Sequence, residues 1–355
     1  MQIMEQIIRN FALDGNVVSH KAFGSGHINK TYLLHTDKGH DYILQKINHH
    51  IFKETEKLME NIFAVTEYLA KMEKDPRRVM HFVRTQDGKG YCRDEEGGYW
   101  RVCEFVQDSL SLDMAETPED FYESAVGFGQ FQMQLRDFPA ETLHETIPHF
   151  HDTPVRFETF RRAIEKDVCG RLESVKAEVE FALAREEEAG CMMRLLSEGK
   201  LPLRVTHNDT KLNNVLLDRE TRKSLCVLDL DTVMPGLIGH DFGDAIRSYT
   251  NTGAEDDKNL DNVEMSLEMF KAYAEGYLHE QKASMVQSEL DWLAFSARYI
   301  TFEQVLRFLM DYIDGDKYYK TAYPEHNLVR THAQYKLLQS MERQYDAMCE
   351  IIKNI

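Results

Sequence analysis

An α+β fold in two lobes, a small strand-rich one followed by a larger helical one, is the architecture this sequence predicts. Three observations carry that expectation. Short β-rich runs separated by glycine-bearing turns fill most of the first hundred residues, and one helical pattern interrupts them. Beyond Pro118 the chain reads as mostly helical, apart from a single hairpin near Thr221. The boundary is expected around "FVQDSLSLD", giving domains of residues 1–108 and 109–355. A cleft between two such lobes is a favoured place for a ligand.

The run "VVSHKAFGSGHINKTYLLHTDKGHDYILQKI" alternates β-formers with turns at Gly24-Ser25-Gly26 and Asp37-Lys38-Gly39, the pattern of antiparallel strands. In "ETEKLMENIFAVTEYLAKM", Leu58, Ile62, Val65 and Leu69 recur at helical spacing until Asp75-Pro76 stops the pattern. "VMHFVRT" and "YCRDEEGGYWRVCEFV", the latter with a Gly-Gly turn, supply further strands. No fixed-period repeat or low-complexity tract interrupts this order.

The 355 residues carry 42 Lys and Arg against 60 Asp and Glu, a formal charge of −18. That balance argues against a nucleic-acid partner, whose binding rests on a basic face that neutralises phosphates. The six cysteines are scattered without a C-x-x-C pair, which predicts reduced thiols rather than a disulfide framework or zinc site. "MQIMEQIIRNFAL" lacks the features of a signal peptide, and no apolar run approaches the roughly 20 residues that span a bilayer. The expectation is a cytoplasmic monomer that acts on small molecules, with no membrane partner.

The most informative stretch is "THNDTKLNNVLLDRETRKSLCVLDLDTV". "VLLD" and "SLCVLD" flank a polar turn, Arg219 to Lys223. Pairing centred near Thr221 sets Asn214 opposite Asp229, and directly opposed residues lie about 5 Å apart. Two such oxygen donors can share a hard cation such as Mg²⁺. Asp209 stands five residues before Asn214 on the entering loop, where it can face a substrate hydroxyl. Asp231 shares a face with Asp229 in an extended chain, and serves either a second metal or the next turn. Turn chemistry alone accounts for any one of these residues. The H-x-D-x-x-x-x-N spacing followed by a later Asp is the layout of kinase-type phosphoryl transfer, and every level of the sequence agrees with it.

"HNDTKLNN" with "VLDLD" resembles the catalytic and metal motifs of the aminoglycoside phosphotransferase and choline kinase family, relatives of the protein kinases. The similarity runs almost end to end, through "GSGHINKTYL", "YWRVCEFV", "HFHDTPVRFETF", "HDFGDAIR" and "YPEHNLVRT". It implies a bilobal protein kinase-like fold, with a small antiparallel-sheet N-lobe and a larger helical C-lobe, that uses ATP and Mg²⁺. Asp209 is then the base and Asn214 and Asp229 are the metal ligands, with Asp231 the candidate for a second metal. Gly24 and Gly26 match the turn over the ATP phosphates, where backbone N–H groups approach an anion. His27, Lys211, Arg307 and Tyr318 correspond to sugar-contacting positions, and Asp241 to the residue that steadies the catalytic loop.

The longer stretches imply ATP-dependent phosphorylation of the anomeric hydroxyl of N-acetylglucosamine or N-acetylgalactosamine. An amino alcohol or aminoglycoside acceptor on the same fold is the alternative. An intact Asp209, Asn214 and Asp229 set argues against a catalytically silent binding module. One departure stands out. Protein kinases place a phosphate-binding Lys on the third strand, whereas "DYILQKI" puts Gln45 there and Lys46 one residue later. Either Gln45 contacts nucleotide, or a bulge turns Lys46 inward. The histidines of "HETIPHFHDTP" are expected to be structural.

Overall fold

The computed structural model describes residues 2–24, 29–115 and 117–355. Two sequence-predicted site residues, Gly26 and His27, lie outside them. In chain order the strands are β1 (Val17–Ala22), β2 (Lys30–Thr36), β3 (Asp41–Ile47), β4 (Phe82–Val83), β5 (Cys92–Arg93), β6 (Tyr99–Glu104) and β7 (Ser109–Ser111). Then come β8 (Arg204–Thr206), β9 (Val215–Asp218), β10 (Ser224–Val227) and β11 (Met234–Gly236). The longer helices are α1 (Gln2–Arg9), α2 (Thr55–Leu69), α3 (Pro118–Gln134), α4 (Thr153–Lys166) and α5 (Lys176–Leu183). They continue with α6 (Ile238–Tyr249), α7 (Leu267–Gln281), α8 (Gln287–Asp314), α9 (His326–Arg343) and α10 (Tyr345–Asn354).

The chain divides into two compact units. The first comprises Met1–Ser111, Asp137–Pro148 and Val215–Pro235, and the second Leu112–Arg136, His149–Asn214 and Gly236–Ile355. The expected arrangement was one boundary and two continuous domains. Instead the β9–β10 hairpin, expected inside the helical lobe, packs with the first unit.

In the first unit an antiparallel sheet runs β1-β2-β3-β6-β4, and β5 also pairs with β6. Alternation places Leu34, Tyr42, Leu44, Trp100 and Val102 on one face, where Ile7 and Phe11 cover them. The helix that carries Ile7, α1, adds to the elements expected from the sequence. Leu58, Ile62, Val65 and Leu69 of α2 are all buried, as their spacing predicts. The registers of β2 on β3 and of β3 on β6 are unbroken, so no bulge turns Lys46 inward.

The second unit begins with a capping box. Thr117 Oγ1 accepts from Asp120 N at 3.2 Å, and Asp120 Oδ2 accepts from Thr117 N at 3.3 Å, with Pro118 opening α3. Close helix approaches depend on missing side chains. A Cβ on Gly129 of α3 would meet the Tyr277 carbonyl of α7 at 2.9 Å, and one on Gly243 of α6 would collide with the Ser296 carbonyl of α8. The Gly243 approach seats α6 closely on the long helix α8, and α6 carries the carboxylates, Asp241 and Asp244, that bond the loop after β8.

Candidate active site

The loop after β8 is pinned to α6 at successive residues. Asp241 Oδ2 accepts from His207 N at 2.8 Å and from Gln132 Nε2 at 2.5 Å, while Oδ1 accepts from Asn208 N at 2.7 Å. Burial pushes the Asp241 carboxyl up, and these donors work against that rise. Thr210 donates its hydroxyl to Asp241 O at 2.7 Å and its N–H to Asp244 Oδ2 at 3.1 Å. Tyr249 Oη accepts from Leu212 N at 2.6 Å. The steadying role implied for Asp241 therefore has a direct hydrogen-bond basis, and Asp244 and Tyr249 share it.

This bracing leaves Asp209 only partly buried, with its side chain 26% exposed. Its carboxylate is not bare. Lys211 Nζ lies 2.7 Å from Oδ1, and Asn214 Nδ2 donates to the Asp209 carbonyl at 2.8 Å and to Oδ2 at 3.2 Å. Lys211 is about half exposed, so water screens this ion pair and its net worth is small. An incoming hydroxyl would therefore meet a carboxylate that Lys211 and Asn214 already orient. Because Asn214 uses its amide nitrogen on Asp209, its Oδ1 is left as the kind of neutral oxygen that a hard cation accepts.

The hairpin register differs from the expected one. Val215 pairs with Val227 and Leu216 with Cys226, and the register shifts between Cys226 and Ser224. Asn214 sits in a 3₁₀ turn, Leu212–Asn214, and Asp229 in the turn after β10 with φ +55°. Neither belongs to a strand, so the ladder does not set them opposite each other.

In the first unit, Asp231 is fully committed. Arg101 Nη1 donates to Oδ1, and Asn29 Nδ2 donates to Oδ2 at 2.7 Å. Both Arg101 and Asp231 are about 3% exposed. The expected metal-ligand role for Asp231 does not fit this geometry, because both of its oxygens already hold donors. Arg101 also donates through Nε to Gln45 Oε1 at 2.9 Å, and Gln45 Nε2 donates to Thr31 Oγ1 at 3.2 Å. Gln45 thus faces Arg101 and Asp231. On the neighbouring position Lys46 instead reaches Asp94 Oδ2 at 2.9 Å, beside the Trp100 ring. Burial opposes ionisation of Asp94, but donors from Lys46, Trp100 and Gly98 outweigh it and draw its carboxyl down to about 2. Sequence reasoning missed Arg101. A lone cation in the apolar run "YWRVCEF", cross-strand from Gln45, was the available signal.

In the second unit, Arg307 projects from α8 among three rings. Its guanidinium carbon lies 5.6 Å from the centroid of Phe150, 5.9 Å from Tyr318 and 5.7 Å from Tyr319. Among the described residues no carboxylate lies within ion-pair reach of it, and it makes no hydrogen bond. Asp311 fixes the loop that carries the tyrosines. Its carboxylate accepts from the N–H groups of Lys317, Tyr318 and Tyr319 at 2.9, 2.8 and 3.0 Å. Tyr318 remains exposed. Phe150, Tyr319 and Asp311 were not singled out from the sequence. The histidines are each tied to a carboxylate, His144 to Glu60, His149 to Asp152 and His151 to Glu303, in keeping with structural roles.

Residues 19–283 match the phosphotransferase enzyme family designated APH. Among solved structures, the chain is similar to an aminoglycoside phosphotransferase from Alicyclobacillus acidocaldarius, with TM-score 0.65 and 14% identity over 99% of this chain and 96% of that one. It is similar to a microcompartment-associated aminopropanol kinase, with TM-score 0.61 and 15% identity over 98% of both chains. An amicoumacin kinase in complex with AMP-PNP and Ca²⁺ has TM-score 0.61 and 13% identity, over 95% of this chain and 92% of that one. At such identities the structures establish the kinase-like fold, and the family match spans most of the chain. This protein belongs to the APH phosphotransferase enzyme family.

Proposed function

We propose that this chain transfers the γ-phosphoryl group of ATP to the anomeric hydroxyl of an N-acetylhexosamine, giving the sugar 1-phosphate and ADP. The observation that carries the choice of acceptor is Arg307, a half-buried guanidinium enclosed by aromatic rings, whose N–H donors are unspent among the described residues. Such a group suits a neutral polyol, whose hydroxyls accept hydrogen bonds and whose ring can lie against Tyr318 or Phe150. At that position it disfavours the ammonium groups of an aminoglycoside or amino alcohol.

Asp209, oriented by Lys211 and Asn214, aligns the acceptor hydroxyl and takes its proton. Assistance of this kind is worth about 10²–10⁴-fold in rate. An anomeric hydroxyl is more acidic than an ordinary alcohol, so positioning carries much of the barrier reduction. The family resemblance makes Asn214 and Asp229 the expected ligands of Mg²⁺, which would neutralise charge on the ATP phosphates. Gly24, with φ +77° and open space where a Cβ would stand, fits a turn that approaches an anion.

The test is ADP release over an acceptor panel of N-acetylglucosamine, N-acetylgalactosamine, glucose, choline, ethanolamine and kanamycin, with phosphorus NMR of the product. The expected outcome is a 1-phosphate of the N-acetyl sugars. A 6-phosphate, or turnover of choline equal to that of N-acetylglucosamine, refutes the proposal.

A further inference from the structure

On α8, Glu303, Arg307 and Asp311 stand four residues apart and share one stripe of the helix. An arginine with a carboxylate one turn away on each side would ordinarily pair with one of them. Arg307 pairs with neither, because both carboxylates, 2% and 4% exposed, are spent on other donors. Glu303 accepts from His151 Nδ1 at 3.1 Å and from Thr153 Oγ1 at 3.0 Å, with the Arg156 guanidinium 3.3 Å away. Arg156 in turn donates to the Phe150 carbonyl, so this group holds the segment that carries one ring of the cluster. Asp311 holds the segment that carries the other two. Its Oδ1 accepts from Lys317 N and Tyr318 N, and its Oδ2 from Tyr319 N and, at 2.8 Å, from Asn327 Nδ2. A carboxylate has about four lone-pair sites, and four donors fill them, so none is left for Arg307.

We infer that Asp311 is a positioning residue for the acceptor: its filled carboxylate sets Tyr318 and Tyr319 around Arg307 and leaves the guanidinium free to meet acceptor hydroxyls. The inference rests on the sugar 1-kinase proposal above. Three successive backbone N–H groups converging on one buried carboxylate fix the path of the chain through Tyr318, although that side chain is 68% exposed. On an unbraced loop the tyrosine would have to be ordered each time a sugar bound, and a loop already held removes that cost in advance. Bracing of this kind acts on the binding of sugar and leaves the proton transfer at Asp209 as it is.

The experiment is steady-state kinetics on the full chain. Asp311→Asn keeps the shape of the side chain but turns an amide nitrogen toward two of the four donors. The KM for N-acetylglucosamine should rise about tenfold, while kcat at saturating sugar and the KM for ATP change less than about threefold. A fall in kcat or in folded fraction with an unchanged sugar KM is the mark of a merely structural residue, and overturns the inference. Tyr318→Ala should itself raise the sugar KM about tenfold, but in the Asp311→Asn background by no more than about twofold further, since both changes remove one interaction. Factors that simply multiply in the double variant overturn the inference. If Asp311→Asn does not fold, Lys317→Gly loosens the same segment while keeping every donor, and the sugar KM should rise about threefold; an unchanged KM then overturns it. Turnover of N-acetylhexosamines with a KM indifferent to these changes defeats the inference alone, whereas failure of the unmodified enzyme to phosphorylate any of these sugars defeats the underlying proposal and the inference with it.

Discussion

Asp231 offers the sharpest separation between a metal ligand and a structural brace. Its carboxylate is buried and both oxygens are taken, one by Arg101 and one by Asn29. Asp231→Leu leaves the Arg101 guanidinium buried without a counter-charge, and breaking a buried pair in this way costs about 3–5 kcal/mol. Asp231→Asn retains one acceptor for Arg101 but sets an amide against Asn29, and should cost about 1.5–3 kcal/mol, the value of a hydrogen bond to a charged group. Combining Asp231→Leu with Arg101→Met removes both charges, and the double variant should be more stable than Asp231→Leu alone. Urea unfolding followed by fluorescence measures this. The chain has two tryptophans, Trp100 in the first unit and Trp292 in the second. A Trp292→Phe background therefore reports the first unit alone, which avoids assuming that both units unfold as one transition. Magnesium half-saturation of activity should move less than threefold in Asp231→Asn. A tenfold rise in that value with unchanged stability would refute the reasoning, because it would assign the oxygens to a metal.

Asp209→Asn should lower kcat by about 10²–10⁴-fold with little change in nucleotide binding, measured under saturating acceptor and Mg·ATP; retention of more than half of wild-type kcat would exclude it as the base. Arg307→Lys should reduce kcat/KM for the sugar at least tenfold although the charge persists, since an ammonium lacks the planar fork that meets several hydroxyls and stacks on rings. A pH prediction comes from His240, which burial, with His151 adding to the effect, draws from 6.5 down to about 3. The unfolded chain takes up this proton below about 6.5 while the folded chain resists until about 3, so stability should fall with pH through that window. His240→Phe should flatten the decline of melting temperature between pH 6.5 and 4, and an unchanged slope would dismiss the assignment.

What was legible in the sequence was what neighbouring residues decide among themselves. The helical spacing of Leu58, Ile62, Val65 and Leu69 located α2, because the side-chain period is a local property. The polar run Arg219 to Lys223 forms the turn between β9 and β10, with Asp218 Oδ1 accepting from Thr221 N at 2.9 Å. The cross-strand register failed by one residue. A shift between Ser224 and Cys226 alters the count, and alternation of residue types does not mark where such an irregularity falls. The candidate site shows the same division. Spacing singles out Asp209, Asn214 and Asp229 as candidates, but it does not reveal the commitment of Asp231. Its partners lie 130 and 202 residues away in the chain.

Those distant partners explain the departure on the third strand. Gln45 stands where an apolar-apolar-apolar-Lys frame would put the protein kinase lysine, and the cation beside it comes from Arg101 on the adjoining strand. A guanidinium buried there must have a counter-charge, and Asp231 is the group that provides it. Gln45 then fits where a lysine would not, because its carbonyl accepts from Arg101 Nε whereas an ammonium would place a second cation beside the first. Asn29 closes the arrangement by holding the other oxygen of Asp231 and accepting from Asn48 N at 2.9 Å. Four residues scattered along the chain are therefore one electrostatic choice. Gln45→Lys alone should destabilise the first unit through like-charge repulsion, and replacing Arg101 by methionine in the same chain should relieve it.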